Sequence, residues 1–404
     1  MKKTRDEVQE EALSTWVSNG HLGTICLPTG VGKTKVGVMA VGRELISNPT
    51  AKALIVVPTT NLRDNEWLEE FVKWEYYSVL DRVTIECRNT TYLDDNRKFD
   101  IVVIDEVHGS LSDEFIKIHN IKTPKKLGLS ATPPDHNDEY MERLDEVCPV
   151  IYQLSLSEAR DYGFVSPFKI YNLAVTFSPK ERFMYYKFDT MFKKARSNLY
   201  QYKKSLQRLG EPIESSIFDI AKRIQKDKHH PQHRNAKKFW QGMTLRKWAC
   251  YKNSNKINIC LDIIKKFPEE KWIIFSKSTD WADNMNDTLN KNGISSVVYH
   301  SKLSKSDREA TLESFKNPDI KVICTAQALN EGYNLPDLTA GICASGTSVA
   351  LTDTQQLGRI IRYKPDKQAL FINLYTGKTQ EEEWIKKKTK DKSAEFINSI
   401  TKIK

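Results

Sequence analysis

The stretch LPTGVGKT, Leu27–Thr34, decides the fold. Gly30 and Gly32 let the backbone turn tightly enough for successive N–H groups to face one anion. Lys33 then stands where its ammonium reaches the outer phosphates of a nucleotide, and Thr34 where its hydroxyl ligates Mg²⁺. Upstream, GTICL (Gly23–Leu27) reads as a short apolar strand; downstream, KVGVMAVGREL (Lys35–Leu45) reads as a helix. Strand, glycine loop and helix is the context a phosphate loop requires. Leu27 occupies the place of the first glycine in G-x-x-x-x-G-K-[ST], so the octet alone leaves a plain Gly-rich turn as an alternative.

Outward from the loop, short β-rich runs alternate with helical stretches. ALIVV (Ala53–Val57), RVTIEC (Arg82–Cys87), DIVVID (Asp100–Asp105) and KLGLS (Lys126–Ser130) continue the first series. A second comprises KWIIFS (Lys271–Ser276), SSVVYH (Ser295–His300), IKVICT (Ile320–Thr325), AGICAS (Ala340–Ser345) and QALFINLY (Gln368–Tyr375). Near-continuous Val/Ile runs separated by amphipathic helices predict parallel sheets covered on both faces. Between the two series, Ser178–Lys256 holds 20 Lys/Arg against six Asp/Glu, with aromatic residues at helical spacing and almost no strand signal. That surplus exceeds the +10 of the whole chain, so the remainder is net acidic. A polyanionic partner is the functional reading and a solvated lysine face the plain one.

A length of 404 residues suggests two or three domains. No apolar run is long enough for a membrane span. The N-terminus, MKKTRDEVQEEALSTW, lacks the apolar core of a signal peptide. Seven scattered cysteines without a C-x-x-C pair predict buried, reduced thiols and a cytoplasmic location. HHPQH (His229–His233) has no partner at finger spacing, so no metal is expected there.

DEVH, Asp105–His108, ends the DIVVID run. Carboxylates at the carboxyl end of a buried parallel strand face the crevice where ligands bind. Asp105 would hold Mg²⁺ through water, and Glu106 would orient and deprotonate an attacking water. SAT (Ser130–Thr132) ends the next run and converges on the same crevice.

Gln9, LPTGVGKT, VVPTTNL, DEVH, LSATP, IIFSKS, ICTAQALNEGYNLP and QQLGRIIR occur, from Gln9 to Arg362, in the order and approximate spacing of the superfamily 2 helicases, which the chain resembles. Members of that family commonly lack the first glycine, which resolves Leu27. The resemblance implies an α/β fold of two RecA-like parallel-sheet lobes with a basic, mainly helical segment between them. Residues 1–165 would form an ATP-binding first lobe, 166–255 a connecting segment with the basic insertion, and 256–404 a second lobe bearing arginine fingers.

It further implies ATP and Mg²⁺ as cofactors. Gln9 would read adenine; Thr29, Gly30, Val31, Gly32, Lys33 and Thr34 would cradle the phosphates; Gly332 and Asn334 would approach from the second lobe. Thr34 and Asp105 would hold the metal. Arg359 and Arg362, at i, i+3 on one helical face, would be the fingers. His108, Ser130, Thr132 and Gln355 would couple the motifs, and Thr59, Thr60 and Thr325 would grip a nucleic-acid backbone. Two features depart from the family: Gln356 replaces the arginine usual after the first glutamine, and CRNTTYL (Cys87–Leu93), with Thr90 and Thr91, is only a candidate for its other backbone-binding motif.

DEVH, LGLSATPP and FSPKERFMYY look similar to phage recombination helicases of the UvsW type, themselves similar to restriction-enzyme motors and DNA-repair helicases. This implies a monomeric motor on DNA, on forks or junctions, with recombination or replication proteins as further partners. Lys193, Lys194, Lys203 and Lys204, with Tyr185, Tyr186, Tyr200, Tyr202, Trp240 and Trp248 interleaved, would form an accessory DNA-binding arm. The rivals are an RNA helicase, a nucleic-acid clamp with little turnover, and a small-molecule kinase. Intact Lys33, Glu106 and Arg359 argue against the clamp, and the second strand series against the kinase.

Overall fold

The computed structural model describes residues 2–134, 139–209, 216–326, 338–346, 356–361, 363–364, 367–389 and 394–404. Each of the ten β-rich runs quoted from the sequence corresponds to a strand. The first sheet holds β1 (Leu22–Cys26), β2 (Ala53–Val57), β3 (Val83–Cys87), β4 (Ile101–Asp105), β5 (Lys126–Ser130) and β6 (Val150–Gln153) in the order β3-β2-β4-β5-β1-β6. All its neighbours are parallel. Alternate residues bury on opposite faces. Ile55, Val57 and Val103 join one core, and Leu54, Val56, Val102 and Ile104 join the other. A strand of period two that is apolar on both sides has no solvent face, which is why these runs read as unbroken.

The second sheet holds β7 (Phe168–Val175), β8 (Trp272–Ser276), β9 (Ser296–His300), β10 (Val322–Ala326), β11 (Ala340–Cys343), β12 (Ala369–Thr376) and β13 (Glu395–Ile397), ordered β13-β7-β12-β11-β8-β10-β9 and parallel throughout. β7 lies within 166–255, the stretch read from sequence as a connecting segment, yet it is hydrogen-bonded between β12 and β13. Its partners come some 200 residues later in the chain, so its membership was invisible locally. The chain crosses from one sheet to the other once, between β6 and β7. One apolar cluster follows it across, from Ile25 and Leu129 through Phe164 and Val165 to Ile170, Ile273 and Phe371.

The described residues of the basic segment form the helices Pro179–Arg208, Ile217–Lys226 and His233–Tyr251. The first starts at a capping box, Ser178 with Glu181, and has Pro179 in its first turn. Such a cap contributes about 1 kcal/mol and fixes where the helix begins. Phe192, Leu199, Ile220, Ile224 and Phe239 form the core of this unit. Gly242 permits the close approach: a Cβ there would lie 2.9 Å from the Phe192 nitrogen.

The interleaved aromatics divide. Tyr185 is buried, and Tyr202 and Trp240 pack against the core, whereas Tyr186 and Tyr200 are each 50% exposed. Part of what sequence suggested as a stacking surface is therefore structural. The unit is rooted in the second sheet. Asn253 Nδ2 donates to Thr376 Oγ1 at 3.2 Å, and the Gln380 N–H donates to Tyr185 at 3.2 Å. Lys256 Nζ, fully buried, donates to both Glu381 oxygens at 3.0 and 2.8 Å and to Ala344 O at 2.8 Å. A buried pair this well satisfied is costly to break on one side, so it holds the root in register.

Candidate active site

Register places the carboxyl ends of the central strands level. Cys26 pairs with Ser130 and Asp105 with Leu129, so the segments after β1, β4 and β5 leave from one edge. Gly30 and Gly32 take left-handed φ of 90° and 102°. Gly32 caps the helix Lys33–Ser47, and a Cβ on it would stand 2.3 Å from Gln9 Nε2. Gln9 is 3% exposed, its amide nitrogen donating to Val31 O at 2.8 Å, and its Oε1 is buried with no hydrogen-bond partner. Glutamine at this position is thus part of the loop's wall.

Lys33 Nζ donates to Glu106 Oε1 at 3.2 Å. Glu106 sits at φ 48°, ψ 54°, a left-handed conformation that costs a non-glycine residue about 1–3 kcal/mol and is typical of functional turns. Burial pushes its carboxyl up, but the charges of Lys33 and His108 outweigh that and leave it below the ordinary carboxylate value. It is therefore ionised at neutral pH. Its Oε2 accepts no hydrogen bond and lies 3.5 Å from His108 Nδ1, which is 3.2 Å from Ser130 Oγ. Ser130 in turn donates to Thr132 O at 2.8 Å. His108, Ser130 and Thr132, named from sequence as coupling residues, thus form a continuous chain from Glu106. Burial, with the Glu106 charge second, pushes the Asp105 carboxyl up; Trp67 Nε1 and the Glu106 N–H donate to its two oxygens at 3.2 and 3.0 Å.

A cleft of about 860 Å³ is bounded by Gln9, the phosphate loop including Thr29 and Thr34, Asp105, Glu106 and, from beyond β11, Arg359. Arg359 is 8% exposed. Its neighbour Gly358 packs on Thr29, where a Cβ would lie 2.5 Å from the threonine hydroxyl. The set fits a nucleotide with a divalent cation. Gln9 offers an unpaired acceptor to a base, the loop offers N–H groups to phosphates, and Asp105 is a carboxylate that a cation would stabilise in its charged form. Trp67 and the cleft-lining Trp74 were not found from sequence, because their contact with the site depends on how Trp67–Lys73 folds back over the helix Lys33–Ser47.

Other expected residues are more dispersed. Thr60 is exposed at the same edge, and Thr59 Oγ1 accepts from the Leu62 N–H at 3.4 Å. Thr325 is 1% exposed within β10, and Thr91 is fully buried with its hydroxyl donating to Cys87 O at 2.9 Å; neither hydroxyl reaches the surface, because both face packed neighbours. Lys194 and Lys204 are exposed on the helix Pro179–Arg208; Lys193 pairs with Asp189 at 2.6 Å, and Lys203 is partly buried. Gly332, Asn334, Gln355 and Arg362 lie outside the described residues. All seven cysteines are buried and unpaired, and among the described residues no helix is long and apolar enough to cross a membrane.

Residues 2–135 match the family described as the res subunit of type III restriction enzymes, and residues 255–364 match the helicase conserved C-terminal domain. The chain belongs to the superfamily 2 helicases. As such it is an ATP-hydrolysing enzyme. It is 28% identical over 387 residues to the DNA 3'-5' translocase XPB2 of Sulfurisphaera tokodaii, an alignment covering 92% of this helicase and 82% of that one. With the DNA 3'-5' helicase XPB of Mycobacterium tuberculosis it shares 23% identity over 90% of its length, spanning 58% of that relative. Among solved structures, the Pyrococcus furiosus Hef helicase domain superposes with a TM-score of 0.52 at 16% identity, covering 95% of this helicase and 99% of that chain. S. cerevisiae Dbp5 bound to RNA and ADP BeF3 gives 0.59 at 15% identity, covering 97% and 89%. Both share the architecture of two RecA-like parallel sheets.

Proposed function

We propose that this helicase is an ATP-driven translocase on DNA that remodels branched substrates such as forks and junctions. The observation that carries the reading is the composite cleft, in which Arg359, from the segment after β11 of the second sheet, lines the same space as Lys33 and Glu106, which follow strands of the first. Hydrolysis in such a site responds to how the sheets sit against each other, and a chain that grips DNA with both can turn that response into movement. The names of the DNA 3'-5' relatives favour DNA as the track and 3'-5' as the direction.

Gln9 reads the adenine edge, Lys33 and the loop N–H groups hold the phosphates, and Glu106 takes the proton of the attacking water. Mg²⁺ held by Thr34 and Asp105 would neutralise charge developing on the phosphoryl oxygens. In this reading residues 1–165 are the ATP-binding lobe, and the helices between 178 and 251 are an arm on the second lobe.

Gln9→Ala removes the base contact and one brace of the loop. KM for ATP is expected to rise about tenfold, the equivalent of one or two hydrogen bonds, and discrimination against GTP to fall. An unchanged ATP/GTP ratio would show that Gln9 serves the loop alone.

The branched-DNA part rests on the helix Pro179–Arg208. Its two carboxylates, Glu181 and Asp189, are turned inward: Glu181 caps Ser178 and accepts from the Ser254 N–H, and Asp189 takes Arg246 at 3.1 Å. The outer face is left to Phe183, Tyr186, Lys187, Lys194, Tyr200 and Lys204, all exposed. Replacing Lys193, Lys194, Lys203 and Lys204 by glutamine should flatten the slope of log K against log salt by about 0.9 for each DNA phosphate that a lysine had neutralised. Lys194 and Lys204 alone would account for about 1.8. Retention of both slope and junction preference would remove the arm. ATPase rates with single strands, duplex, forks, four-way junctions and RNA, at one salt concentration, test the whole reading.

A further inference from the structure

At the carboxyl edge of the first sheet stands a cation that the cleft does not use. Arg88 follows β3 directly, and its guanidinium lies 5.7 Å from the Phe115 ring centre. Its Nη1 rests on Gly109, where a Cβ would stand only 1.8 Å away. Gly109 follows His108, and its N–H donates to Glu106 O at 2.8 Å. Arg88 therefore touches the turn that holds the water-activating carboxylate.

The carboxylates around it are committed elsewhere. Glu86 takes Arg97 through both oxygens at 2.8 Å, Asp113 takes Arg143 at 2.7 Å, and Glu114 takes the Tyr92 hydroxyl. Arg88 Nε is buried with no hydrogen-bond partner, and no carboxylate pairs with the guanidinium among the described residues. A partly buried guanidinium without an anion is expensive, and its planar fork suits a phosphate. Asn89 and Thr90 beside it are exposed, so a strand laid along this edge can reach it.

We propose that Arg88 receives a backbone phosphate of the DNA track and, through Gly109, positions the Asp105–His108 turn, so that a loaded track sets Glu106 for hydrolysis. The inference rests on the reading of this helicase as a DNA-driven ATPase. Arg88 is a positioning residue, acting on the chemistry only through the turn.

The test measures fold stimulation, the ratio of ATP turnover with saturating single-stranded DNA to turnover without it, and the DNA concentration at half-stimulation. Wild type is compared with Arg88→Gln, Gly109→Ala and the double variant. The methyl of Gly109→Ala meets only the flexible end of Arg88, so the fold tolerates it while the guanidinium is pushed aside. Each single change should lower fold stimulation about tenfold, the equivalent of one charged hydrogen bond. Arg88→Gln should also raise the half-stimulating concentration, and the double variant should be no worse than Arg88→Gln. Wild-type stimulation in Arg88→Gln, or two effects that multiply independently, would overturn the inference. If no DNA stimulates the wild type, the DNA-driven reading itself falls and takes this inference with it.

Discussion

Arg359→Ala lowers kcat for ATP hydrolysis by about 10³-fold or more while KM for ATP changes little. Arg359 stands in the cleft, opposite the phosphate loop and almost wholly shielded from water. A guanidinium there meets charge that spreads over the phosphoryl oxygens only as the bond to the leaving group lengthens. Its removal therefore shows in the transition state far more than in binding. The position depends on Gly358, whose lack of a side chain lets the second lobe rest on Thr29. Steady-state ATPase at saturating DNA, together with direct nucleotide binding, separates the two constants. A collapse of affinity with kcat preserved would make Arg359 a ground-state ligand and remove the composite site.

Glu106→Gln is expected to retain ATP binding and lose about 10²–10⁴-fold in turnover, the range of a positioned general base. The amide keeps the shape of the carboxylate but cannot take a proton. It also releases Lys33 from its 3.2 Å ion pair, so affinity for ATP should hold or improve. Because Lys33 and His108 hold Glu106 below the ordinary carboxylate value, the wild-type base stays charged through neutral pH and protonates only in acid. Single-turnover hydrolysis of prebound ATP checks the prediction. Near-normal turnover in the variant would mean that another group activates the water.

The placement of the glycine loop and of DEVH was legible because both sit at strand ends, where short local patterns fix position. LPTGVGKT and DEVH needed only their flanking Val/Ile runs to be placed on one edge. What the sequence concealed depends on distance through space. β6 is largely half-buried, β13 has three residues, and β7 finds its neighbours only after the chain has left for 200 residues and come back. Gln9 could be matched to its motif, but not its burial against Gly32. Trp67 on Asp105 and Arg88 on Gly109 had no local signal, since each joins segments whose adjacency is set by sheet order. Among the aromatics of the basic segment, composition could not separate Tyr185, which is core, from Tyr186 beside it, which faces solvent.

The single crossing between the sheets gives the basic helices a mechanical character. They leave the second sheet at the end of β7 and return to it at Asn253 and Lys256, so they form a closed excursion from that sheet alone. The helix Pro179–Arg208 has 30 residues, about 45 Å of rigid rod. Fixed at one end by the buried Lys256–Glu381 pair and the Tyr185 anchor, it is an oar shipped on the second sheet. A rotation of about 10° about its root would carry its far end through about 8 Å. Were the second sheet to turn against the first, the tip of this helix would therefore travel farther than its root.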